Sequence, residues 1–82
     1  MDQRVLAAVA RFPDRGHAIE ELARRDEDFL SLCADLADAE AVLERWEHST
    51  SPLRDERRAE YRDLIRDLAA EVAATLDRYA QP

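Results

Sequence analysis

Apolar residues recur along this chain with helical periods almost throughout. Val5, Leu6, Val9 and Phe12 follow one another at spacings of one, three and three, which predicts a short amphipathic helix over about residues 2 to 12 with Asp2 as its cap. Pro13 and Gly16, in "FPDRGH", predict an interruption. From there a period of seven takes over. Leu22, Phe29, Leu36 and Leu43 form one row. Arg25, Leu32, Ala39 and Trp46 form a second, and Ile19, Asp26, Cys33 and Glu40 a mixed third. A sustained seven-residue repeat keeps one stripe turned toward a neighbouring helix. It predicts one continuous helix over 17 to 47, roughly 45 Å long at ~1.5 Å per residue.

A third helix is predicted over 52 to 79. Ser51 before Pro52 is a helix start, with Ser as N-cap and Pro at the first helical position. Asp55 and Glu56 then lie at the positive end of the helix dipole. The apolar stripe is Tyr61, Ile65, Leu68, Val72, Leu76 and Tyr79, with Leu64 on its flank. The connection between the two long segments is short, which predicts antiparallel neighbours. The expected fold is therefore all-α: a coiled-coil-like, antiparallel two-helix hairpin with a short N-terminal helix, in one domain over 1 to 82.

Each stripe is wider than one partner helix covers. Ordering costs about 1.5 kcal/mol per residue, so the remaining apolar surface needs covering too. Two solutions are open. Two hairpins pair into a homodimeric four-helix bundle, the first choice, or the short first helix folds back as a third layer. On the first solution the oligomer or partner interface comprises Leu22, Phe29, Leu32, Cys33, Leu36, Leu43 and Trp46 on one helix. Tyr61, Ile65, Leu68, Val72 and Leu76 supply the other. Asp26 and Glu40 are polar in an otherwise seam-facing row, so they are the candidates for setting register or partner choice.

Composition narrows the functional classes. The 82 residues carry a net charge of −7, and every basic side chain is Arg. An acidic surface repels phosphate backbones and anionic lipid, so neither a nucleic-acid nor a membrane partner is expected. No apolar run approaches the ~20 residues that span a bilayer. The N-terminus lacks a signal-peptide pattern and the single Cys fits a reducing compartment, so the expected location is cytoplasmic.

Little chemistry is written into the side chains. Cys33 has no cation at helical spacing to activate it and reads as a small buried hydrophobe. Trp46 reads as the closure of the core at the turn, against Leu53 or Arg57. Glu44 with His48, and His17 with Glu21, are spaced four apart, but the Glu-x-x-His step of di-iron bundles is absent. The many carboxylates interleave with Arg and read as a solvated face, with Asp55 expected to attract Arg58 and Arg62. No catalytic, cofactor or metal residue is expected.

Ile19, Leu22, Asp26 and Phe29, followed by apolar residues at Leu32, Cys33, Leu36, Ala39, Leu43 and Trp46 with an acid at Glu40, resemble the pattern of the small bacterial YdcH-like proteins. Leu68, Glu71 and Val72 match a step of that family's second helix, and the resemblance covers residues 17 to 77. Trp46 stands where the family has an aliphatic residue, and the N-terminal segment is an addition. The resemblance implies an antiparallel hairpin that self-associates, with no catalytic residues. The expected function is a non-enzymatic, self-associating helical interaction module that also lends a face to another protein. The alternatives are a ferritin-like metal-binding bundle built across subunits from Glu40, Glu44 and His48, or an acidic, antitoxin-like inhibitor of a basic protein.

Overall fold

A computed structural model describes residues 1 to 80. Among these residues the chain is all-helical, with α1 Leu6–Arg11, α2 Gly16–Arg25, α3 Glu27–Glu47 and α4 Arg54–Ala80 and no strand.

The N-terminal segment is built from small pieces. Asp2 caps a 3-10 turn over Gln3–Val5, its carboxylate accepting from the Arg4 backbone N–H at 2.9 Å. The Arg4 side chain closes on the same carboxylate, and these bonds hold the Asp2 carboxyl down at about 2. A second 3-10 turn, Pro13–Arg15, joins α1 to α2. The predicted interruption thus ends sooner than expected, for Gly16 is itself helical, with φ −54° and ψ −45°. A Cβ there would lie 3.4 Å from Val9 Cγ1, an ordinary contact with the α1 segment, so neither the space nor the helical backbone demands glycine.

The continuous helix predicted over 17 to 47 is not what forms. It is broken at Asp26, whose backbone is extended at φ −134° and ψ 106°. The reason is local. The Asp26 carboxylate accepts from the Asp28 and Phe29 backbone N–H groups at 3.0 and 3.2 Å, the bonding of an N-cap. Glu27 and Asp28 add negative charge to the first turn of α3, where the helix dipole favours it. Periodicity reports which face is buried; it does not report a cap that competes with helix propagation.

At the other junction the α-helix begins at Arg54 rather than Pro52, so Ser51 closes the turn before the helix and is not its N-cap. The Ser51 hydroxyl accepts from the Leu53 N–H at 3.1 Å, and Pro52 and Leu53 form a turn before α4. Along the molecule, Glu47 at the end of α3 lies 4.0 Å from Arg62 in the early part of α4. At the opposite end, the Tyr79 hydroxyl donates to Asp26 at 3.3 Å.

One core joins all the helices. It comprises Val5, Ala8, Ile19, Leu22, Ala23, Phe29, Cys33, Leu36, Ala39, Ile65, Val72 and Leu76. The N-terminal segment supplies Val5 and Ala8 and packs on α3 and α4. Of the two ways to cover the wide stripes, one is therefore realised inside a single chain: the first helix forms a third layer. The face expected for α1 needs correcting as well. Ala8 is fully buried whereas Leu6 is 48% exposed, because the segment starts as a 3-10 turn and advances its faces at about three residues per turn.

Candidate interaction surface

The twelve apolar residues expected at an interface separate into two groups. Leu22, Phe29, Cys33, Leu36, Ile65, Val72 and Leu76 are buried within one chain. Leu32, Leu43, Tyr61 and Leu68 are half-buried against that core. Trp46 is half-buried but outside the core cluster. Leu53, expected to receive the ring, is 44% exposed. The first group is already buried within the single chain. The second group, with Trp46, remains within reach of a partner.

The two polar candidates do structural work in the single chain. Asp26 is the cap of α3 and the acceptor for Tyr79. Glu40 Oε2 accepts from Arg11 Nε at 2.7 Å, tying α3 to α1. A second long-range pair, Arg15 with Asp77 at 2.8 Å, ties the α1–α2 junction to α4. Sequence reasoning missed both pairs and the role of Tyr79, since no local spacing links residues so far apart. Ala8 was missed too, and its place three residues after Val5 is the signal that could have found it.

On the side away from α1, the surface between α3 and α4 is grooved. Phe29, Leu32, Leu68, Thr75 and Tyr79 line it, with Ser31 and Arg78, and Asp26, Asp28, Asp35 and Glu71 stand around it. The groove holds about 500 Å³. Leu64, one turn before Leu68 on α4, is 44% exposed and continues the apolar line. On the opposite flank, Leu43, Ile65 and Ala69 line a smaller hollow already bordered by Arg11, Arg62 and Arg66.

Burial pushes the Cys33 thiol up to about 11, so it stays protonated and unreactive at neutral pH. His17, His48 and Glu44 are exposed. Among the described residues, no three of His, Cys, Asp and Glu are grouped so as to hold a metal ion. Three carboxylates of α4 pair with Arg at i, i+3: Asp55 with Arg58, Glu60 with Arg57, and Asp63 with Arg66. Arg62, expected to join the first of these, reaches Glu47 instead. No described helix is long and apolar enough to cross a membrane.

No protein-family model, curated protein or solved structure matches the chain.

Proposed function

We propose that this protein is a non-enzymatic helical interaction module, in which α3 and α4 form an antiparallel hairpin and present the face not covered by the N-terminal segment. The observation that carries this reading is that Leu32 and Leu68 stay half-buried at a solvent-facing groove, with Leu64 exposed one turn before Leu68, while Leu22, Phe29, Cys33, Leu36, Ile65, Val72 and Leu76 are buried. A groove between two helices receives a third helix by the packing rules that build a bundle.

A second copy of the chain is one occupant, and pairing through this face yields the four-helix arrangement expected from the heptads. An acidic, antitoxin-like role toward a basic protein is the other form of the same reading, motivated by the charge of −7. The likeness of residues 17 to 77 to YdcH-like hairpins accords with either. A metal-binding bundle is the weaker proposal, since Glu44 and His48 have no third ligand beside them in one chain. A cytoplasmic location remains part of the proposal on the strength of the free, buried thiol.

Photo-crosslinking in living cells tests the reading. A photoreactive amino acid replaces Leu32 or Leu68 in the groove, or exposed Asp38 as the control. Discrete adducts from the groove positions, and none from position 38, are expected. Adducts from all three positions alike, or from none, would contradict the proposal.

A further inference from the structure

We infer that the occupant of the α3–α4 groove is a basic amphipathic helix of a partner protein, an inference that rests on the interaction-module reading. Leu32 and Leu68 form the apolar floor, and Leu64 prolongs it. Along α4 the groove runs from Leu68 to Tyr79, roughly 16 Å at ~1.5 Å per residue or about three helical turns, with polar Glu71, Thr75 and Arg78 between the two.

Charge chooses the occupant. Asp28 and Asp35 stand seven residues apart on one side of the groove and Glu71 on the other. None of the three has a salt bridge to an Arg among the described residues, whereas the links from Arg11 to Glu40, Arg15 to Asp77 and Arg62 to Glu47 neutralise acids elsewhere. The one cation at the groove, Arg78, donates to the Thr75 hydroxyl at 3.2 Å. A helix with Leu at i, i+3, i+4 and i+7 and Lys or Arg seven apart on its flanks matches both the floor and the rim. A second copy docking by two-fold symmetry would set this same unpaired acidic patch against itself, which electrostatic complementarity disfavours.

The test uses the full chain and three synthetic peptides about five turns long: an amphipathic Leu/Lys helix, its Leu/Glu counterpart, and a Leu/Lys peptide of scrambled order. Binding is read by amide chemical shifts and by fluorescence anisotropy, with sedimentation equilibrium on the chain alone. The basic amphipathic peptide is expected to bind and to shift amides near Leu32, Leu68 and Glu71. The Leu/Glu peptide is expected not to bind. The double variant Asp35→Asn/Glu71→Gln, which changes only exposed groups, is expected to weaken binding by about tenfold or more, the scale of lost charge complementarity at an interface. Equal binding of the scrambled peptide, or shifts confined to another face, would overturn the inference. Failure of every peptide with the chain self-associating through this groove would overturn the basic partner and leave the interaction-module reading standing. Failure of every peptide with a strictly monomeric chain would overturn both.

Discussion

Replacing Asp26 by Ala tests the feature that most alters the shape of the molecule. The carboxylate caps α3 through two backbone N–H groups at 3.0 and 3.2 Å and receives the Tyr79 hydroxyl at 3.3 Å. Loss of an Asp N-cap costs ~1 kcal/mol, within a range of about 0.5–2. The Tyr79 bond is long and exposed and adds about 0.5 kcal/mol. The sum, about 1.5 kcal/mol, corresponds to a fall in Tm of roughly 6–12 °C for a domain of this size. Thermal unfolding followed by far-UV circular dichroism at neutral pH reads it. Asp26→Asn keeps an acceptor at the cap and is expected to lose less than about 0.5 kcal/mol. Tyr79→Phe isolates the hydroxyl bond. Healing of α2 and α3 into one rod is opposed by the burial of Ile19, Leu22 and Ala23, which a straight helix would carry out of the core. If Asp26→Ala left Tm unchanged, or raised both Tm and helical signal, the cap would not be holding the break. The continuous helix that the heptad rows predict would then be the correct description.

Three further outcomes follow from the core. Leu36→Ala, at a fully buried site, is expected to cost about 2–5 kcal/mol in urea unfolding, whereas Leu64→Ala, at 44% exposure, should stay within about 0.5 kcal/mol. Val5→Ala should destabilise by about 2 kcal/mol if the N-terminal segment closes the core, and negligibly if that segment is detached. The thiol sets a pH dependence. Its folded value, about 11, lies above its ordinary value of 9.0, so the folded state holds a proton that the unfolded state releases. This contribution to stability is therefore present below pH 9.0 and declines as pH rises toward about 11, and Cys33→Ala should remove that part of the decline. Native Cys33 should also resist a thiol reagent at pH 8 and react on unfolding.

Much of this architecture was legible in the residues. Phe29, Leu36, Ile65, Val72 and Leu76 were placed in seams by spacing alone, and all five are buried. Pattern finds such positions because burial on a helix repeats with the turn. It did not find the break at Asp26, where one carboxylate redirects two backbone donors without disturbing the apolar rows on either side. Nor could it choose what covers the wide stripes. That choice turns on the small side chain of Ala8 and on ion pairs such as Arg11 with Glu40, which join residues 29 apart. The candidate surface was half legible for the same reason. Heptad position marked Leu32 and Leu68 together with residues that the third layer then buried, and only the packing of the N-terminal segment separates the two sets.

The central claim is that the core is closed within one chain, leaving the α3–α4 groove free for a partner. An isotope-filtered nuclear Overhauser experiment on a mixture of labelled and unlabelled protein tests it most directly, through the methyl groups of Val5 and their neighbours in α2 and α3. Contacts from Val5 to Ala23 and Leu30, which line one hollow with it, are predicted to be intrachain and absent from the interchain spectrum. The same contacts appearing only between chains, or Val5 showing none, would mean that the N-terminal segment does not close its own core.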